Sequence, residues 1–197
     1  MKKKILAISV LAVLSVGAVV LAAPLQDYSK GNGQIDLNYG FKQKAGSIDG
    51  DSGIAGVGAT VGLGNRWGAQ YTYSTMDASQ GGRKADVREH QLRALYQLKP
   101  NISLYAGLTH VGVNQRAYDT SATGMQVGVI GQVPLTDRVT GWASVGVGDD
   151  VNTYEVGLGY RITPQIDAHL LYRDSQVDIN NWNDDVKGWQ AGLGYRF

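Results

Sequence analysis

The stretch from Lys187 to Phe197, KGWQAGLGYRF, alternates with a period of two. Read as an extended strand, it places Trp189, Ala191, Leu193, Tyr195 and Phe197 on one face and Gly188, Gln190, Gly192, Gly194 and Arg196 on the other. A helix would scatter those apolar residues around its circumference, so the alternation points to a sheet with two chemically different faces. The segment YEVGLGYRI repeats the pattern: Tyr154, Val156, Leu158, Tyr160 and Ile162 alternate with Glu155, Gly157, Gly159 and Arg161.

Two media fit such a surface. In a water-soluble barrel of the lipocalin kind the apolar face lines the interior, whereas in a membrane barrel it meets lipid and the polar face lines the lumen. Three features favour lipid. The polar face is rich in glycine, which suits a crowded lumen. Aromatic residues sit near the ends of the apolar faces, where side chains anchor at membrane interfaces. The third feature is the amino terminus.

Residues 1–22 begin with Lys2, Lys3 and Lys4, continue through an apolar run from Ile5 to Leu21 and reach small residues at Ala22 and Ala23. That is the layout of a secretory signal peptide, and cleavage after Ala22 spares a cut directly before Pro24. The competing reading, a fixed membrane helix, needs about 20 apolar residues. Removing the three lysines takes 18 basic residues to 15 against 17 acidic, a balance of −2. A nucleic-acid binder would carry a basic surplus, so no nucleic-acid partner is expected. Cysteine is absent, which excludes disulfides, thiolate metal sites and cysteine nucleophiles. About 175 mature residues suit one domain, divided into a short polar periplasmic lead-in over 23–33 and a barrel over 34–197.

Ten strands are expected, at roughly 34–42, 54–63, 66–73, 88–98, 102–109, 125–133, 139–147, 154–162, 166–173 and 187–197. In the second, Ala55, Val57, Ala59, Val61 and Leu63 are assigned outward. Short turns such as Gly64-Asn65 and Thr163-Pro164 alternate with longer polar segments, among them STMDASQGGRKADV and DSQVDINNWNDDV, which read as loops. Short turns at one end and long loops at the other, joining strands of bilayer-spanning length, give an all-β, antiparallel, up-and-down transmembrane barrel. An even strand number brings both ends of the barrel to one side, and closure leaves no backbone edge unpaired in lipid. Pairing around Pro164 makes residues whose numbers sum to 328 face each other. Arg161 then meets Asp167 and Glu155 meets Arg173 inside, while Leu158 meets Leu170 outside. Closure of the ring places Arg196 near Asp36.

With these strands and a carboxyl-terminal phenylalanine, the chain resembles small bacterial outer-membrane β-barrel proteins, the broad porin and OmpA-type barrel group. The resemblance covers the mature chain as a pattern and approaches a motif in the last strand, Trp189 through Phe197. It implies residence in the bacterial outer membrane among its lipids. It also implies that Trp189, Tyr195 and Phe197 serve as the signal read by the barrel-assembly machinery. OmpA-type barrels usually have eight strands and a periplasmic domain. Ten strands with nothing after Phe197 depart from that pattern, so a cell-wall anchoring role is not expected.

The inward charged set is Asp36, Lys42, Arg66, Glu89, Arg93, Glu155, Arg161, Asp167, His169, Arg173 and Arg196. Such a set suits a narrow, porin-like path for ions or small solutes through a monomeric barrel. The competing account is a plugged structural or surface-binding barrel using its outer loops, in which each buried charge has a partner. About eight strands leave room only for side chains and 16 to 18 leave an aqueous channel, so ten make a slim lumen. Inward Tyr105, Trp142, Leu95, Ile130 and Leu171 narrow it further, while glycines widen it. His169 beside Asp167 invites a hydrolase reading, yet no serine is placed beside it and G-x-S-x-G is absent. An enzyme is not expected. His90, assigned to the upper interface, and His110, near a strand end, form no spaced metal set. The acidic outer segments lack calcium-loop spacing, and no cofactor or metal is implied.

Overall fold

The computed structural model describes residues 24–25, 27–50, 53–80, 83–115, 118–179 and 182–197. The signal-peptide segment and its cleavage site lie outside these residues. Eleven strands follow one another: β1 (Gly33–Ala45), β2 (Ile48–Asp49), β3 (Gly53–Gly64), β4 (Trp67–Gln80), β5 (Arg83–Lys99), β6 (Ile102–Gln115), β7 (Tyr118–Pro134), β8 (Val139–Gly148), β9 (Val151–Arg161), β10 (Ile166–Ile179) and β11 (Trp182–Arg196). Each long strand pairs antiparallel with its neighbours, and β11 returns to pair with β1, so ten strands close into a barrel. The two-residue β2 adds to the rim beside the end of β1.

Closure turns the alternation into an inside and an outside. Leu158, Leu170 and Leu193 are 51%, 40% and 52% exposed, whereas Arg93 and Gln126 are 6% and 2% exposed. The apolar row therefore faces out and the polar row is enclosed, the geometry of a barrel whose solvent is hydrocarbon. A charge at the middle of the apolar band provides a direct check. Leu158→Arg is expected to destabilise the barrel by about 2–4 kcal/mol in lipid vesicles, measured by denaturant unfolding; a neutral result would contradict this sidedness.

The expected register around Pro164 holds: Arg161 faces Asp167, Glu155 faces Arg173 and Leu158 faces Leu170. The turn is tied by the Thr163 hydroxyl, which accepts from the amides of Gln165 and Ile166 at 3.2 and 2.9 Å. Thr136 plays the same part between β7 and β8, accepting from Arg138 and Val139 at 3.2 and 3.0 Å. A hydroxyl three residues before the start of the next strand thus replaces the missing ladder partners of a short turn.

Two assignments change because the ladder slips, and a third because of a turn. Lys42, expected in the lumen, takes a left-handed φ of 50° where the β1–β11 register shifts between Phe41 and Lys44. The extra residue turns Lys42 outward and Gln43 inward, so Lys42 is exposed and Gln43 buried. Ala55 is 2% exposed rather than outward, because the β1–β3 register slips between Asn38 and Tyr39. Arg66, also expected in the lumen, sits exposed in the Gly64–Arg66 turn with φ of 69°. Its turn conformation takes it out of the strand alternation.

The largest difference lies above the membrane band. The segments read as long loops over 74–87 and 174–186 are mostly strand, as is the stretch between the fifth and sixth expected strands: β4 runs to Gln80 and β5 begins at Arg83, β6 runs to Gln115 and β7 begins at Tyr118, and β10 runs to Ile179 and β11 begins at Trp182. Pairing continues through Ala78↔Ala85, Asn114↔Asp119 and Ile179↔Trp182. Here the two faces exchange chemistry. Met76, Ala78, Val87, Val111, Val113, Val151, Val177 and Ile179 point inward and form one buried cluster with Ala45 and Ile48. Asp77, Arg88, Asn114, Gln176 and Asp178 face out and are exposed. Outside the bilayer the surrounding solvent is water, so the wall reverts to the rule of soluble proteins, with apolar side chains inside. The barrel is thus a membrane barrel capped by a soluble one built on the same strands.

Candidate functional site

The lumen is filled in layers, from the turn end upward. Near the turns Arg196 makes a 2.7 Å ion pair with Asp167, and its Nε donates to Gln34 Oε1 at 3.0 Å. Gln34 Nε2 in turn donates to Asp36 at 2.8 Å. The register sets Arg196 opposite Gln34 and Asp36 opposite Gly194, so Gln34 links the two residues expected to lie close. Arg161, half-buried, stands across from Asp167.

At mid-height Arg173 organises the interior. Its Nη2 lies 2.7 Å from Glu89 Oε2 and its Nε 3.6 Å from Glu155 Oε1. It also donates to Ser74 and Ser175 at 2.9 and 3.0 Å. Gln91 donates to Glu89 as well. The side chains of Arg173 and Glu89 are 12% and 9% exposed, and buried charges persist in such a place when each is paired and hydrogen-bonded. Arg93 donates to Gln70 and Gln126 and lies 4.3 Å over the Tyr105 ring. Gln126 continues the network to Thr153 and the Val151 carbonyl.

His169 does not form an acid/base pair with Asp167. Its Nε2 is 2.6 Å from Asn38 Oδ1, and Gly192 leaves space for the ring, since a Cβ there would meet that nitrogen. Asp167 is instead engaged by Arg196.

Both ends of the polar lumen are stoppered. Above lies the apolar cluster of the outer collar. Below, the lead-in expected to be a polar tail enters the mouth of the barrel: Leu25 and Tyr28 are 4% and 1% exposed and pack with Leu95, Tyr105 and Ile130. The Tyr28 hydroxyl donates to Ser103 at 3.1 Å, and Gln132 Nε2 donates to the Pro24 carbonyl. Gly68 makes the seat, because a Cβ there would stand 2.9 Å from the Tyr28 ring. Asp27 accepts from the Ser29 hydroxyl and amide at 2.6 and 3.0 Å, bonds that hold its carboxyl below the usual range and turn the chain back out. Between the stoppers remains a cavity of about 100 Å³ lined by Asp36, Gln70, Gln91, Arg93, Trp142, Glu155, His169 and Arg173 among others.

Nine of the eleven expected lumen residues therefore line the interior, and Lys42 and Arg66 do not. Trp189, Tyr195 and Phe197 lie on the outer wall, 40%, 52% and 58% exposed. Sequence reasoning missed Leu25, Tyr28, Gln43 and Gln126. Gln126 was within reach, since carrying the inward parity of its strand up from Ile130 and Gly128 lands on it. No signal marked Tyr28, whose burial depends on the far wall.

Aromatic rings mark the two edges of the lipid-facing band. Trp67 and Tyr96 lie 4.9 Å apart at the turn end, with Tyr195 and Phe197 beside each other at 6.4 Å. Tyr73 with His90 and Tyr172 with Trp189 lie at the other end, at 4.8 and 5.4 Å. Such belts are the imprint of two membrane interfaces.

Among proteins of curated function, none matches the chain. Its structure is similar to the amino-terminal β-barrel domain of OprF from Pseudomonas aeruginosa, at 13% identity over 85% of this chain and 98% of that one, with a TM-score of 0.44. It is also similar to Ail, the attachment invasion locus protein of Yersinia pestis, at 17% identity over 85% and 99% of the two chains and a TM-score of 0.38. The anion-selective porin from Comamonas acidovorans matches at 15% identity over 84% of this chain and 56% of that one, with a TM-score of 0.38. At these scores none of the likenesses bears on activity. The family model for the outer membrane protein beta-barrel domain matches residues 9–197, and the chain belongs to that family, a small β-barrel of the bacterial outer membrane.

Proposed function

We propose that this protein is a closed, monomeric barrel that spans the outer membrane without a standing pore and acts through the collar it carries outside. The observation behind this reading is the pair of stoppers, Leu25 and Tyr28 below and the Met76–Val113–Ile179 cluster above, around a space that holds only a handful of water molecules. The paired charges between them serve as internal struts. Insertion through the barrel-assembly machinery, read from Tyr195 and Phe197, belongs to the same proposal, and their exposure on the outer wall supports it. A non-catalytic role is supported by His169, which is engaged with Asn38.

A second reading, a gated path for ions or small solutes, is favoured by the polar lining of Arg93, Glu155 and Arg173. Planar-bilayer recording of the purified full chain separates the two. The closed reading expects no unitary steps from the wild type and none from Tyr28→Ala, because the upper cluster still bars the lumen. Sustained wild-type conductance, altered by Glu155→Gln, would establish the channel.

A further inference from the structure

Two of the three histidines of this chain lie on the outer wall, and the fold brings them face to face. His90 on β5 and His110 on β6 are direct partners in the ladder. Both occupy outward positions one step above the lipid-facing pair Leu92 and Leu108, which are 58% and 51% exposed. Twenty residues apart in sequence, they show no ligand spacing; only the register joins them. Their ring centroids are 6.3 Å apart.

We infer that His90 and His110 form a two-histidine site for a divalent transition metal of the zinc, nickel and copper class, at the level where the barrel leaves the bilayer. Each ring is already steered through its Nδ1. His90 Nδ1 lies 2.8 Å from the Tyr71 hydroxyl and His110 Nδ1 2.7 Å from Thr123 Oγ1. A hydroxyl accepts as readily as it donates, so each ring can protonate Nδ1, keep its hydrogen bond and offer the Nε2 lone pair. This is the arrangement in which metal-ligating histidines are usually held, with the other ring nitrogen bonded to an outer partner. Tyr73, 4.8 Å from His90, packs against one ring.

The distance is consistent with a modest adjustment. Two imidazoles sharing one tetrahedral zinc, at about 2.0–2.1 Å per nitrogen, have centroids about 5 Å apart. The rings here need to close by about 1 Å, which small side-chain rotations supply. Among the described residues no third histidine or carboxylate joins the pair as a metal-binding group, so water completes the coordination. Imidazole nitrogen selects this metal class over magnesium or calcium, and copper is bound most tightly of the series. Bound metal would staple β5 to β6 where lipid support ends. The site stands on the outer wall and does not depend on whether the lumen conducts.

The test uses the untagged full chain in dodecyl maltoside micelles, in a phosphate-free buffer, with copper(II) or nickel(II) alone as the probe. Calorimetry is expected to give one equivalent bound, weakened at least about ten-fold by either His90→Ala or His110→Ala. Copper spin resonance should show two coupled nitrogens in the wild type and one in each single variant. His169→Asn, which removes the lumen histidine, should change neither reading. Heat-dependent gel migration verifies that every variant is a folded barrel. Binding by the double variant as tight as by the wild type, or loss of binding in His169→Asn alone, would overturn the assignment.

Discussion

Replacing Arg173 by methionine is expected to cost the folded barrel about 3–5 kcal/mol, because it strands two carboxylates inside a slim lumen. Glu89, 2.7 Å from the guanidinium, and Glu155, 3.6 Å away, have side chains only 9% and 16% exposed. Most of the loss is the price of leaving them unpaired rather than the net worth of the ion pairs. The triple variant Arg173→Met, Glu89→Gln, Glu155→Gln is therefore expected to recover most of the stability, since it removes the charges together. Denaturant unfolding in lipid vesicles measures both. If the single variant lies within about 1 kcal/mol of the wild type, the interior is wet enough to screen these charges and the strut account fails.

A carboxylate in the upper collar should have an equally large but local effect. Val177 is 2% exposed within the apolar cluster, and Val177→Asp places an unpaired charge there, at a cost above about 4 kcal/mol if the collar stays shut. The collar should open instead. Above the belt of Tyr73, His90, Tyr172 and Trp189 the backbone can turn to water for hydrogen bonds, whereas below it lipid offers none. Amide exchange is thus expected to rise sharply from Met76 to Ala78 and from Val111 to Val113. The rungs around Leu92 and Leu108 should stay protected. Exchange rising through the whole barrel would show that collar and membrane barrel unfold as one unit.

The transmembrane part was open to sequence reasoning because one physical rule governs it throughout. From Leu158 to Tyr160 and from Leu170 to Tyr172, every second side chain meets hydrocarbon, and the parity of a residue decides its neighbourhood. Opposite charges at matching distances from Pro164 then set the register. The rule failed where its premise changed. In Ser74 to Ser79 the apolar residues Met76 and Ala78 fall on the inward parity, so a search for an outward apolar row finds none and reports a loop. Lys42 and Ala55 were displaced by register slips, and a slip of one residue reverses every later assignment.

By itself the sequence determined a ten-strand, lipid-facing barrel, its charged interior and the pairing of β9 with β10, since each follows from period-two alternation and local turns. Tertiary structure alone decided that apolar side chains pack into both ends of the lumen. Tyr28 is buried by Leu95, Tyr105 and Ile130 from other strands, and the collar becomes a core only when valines from many strands converge. Contacts among residues distant in the chain leave no periodic trace in any one segment, because each partner supplies only part of the surface that expels water.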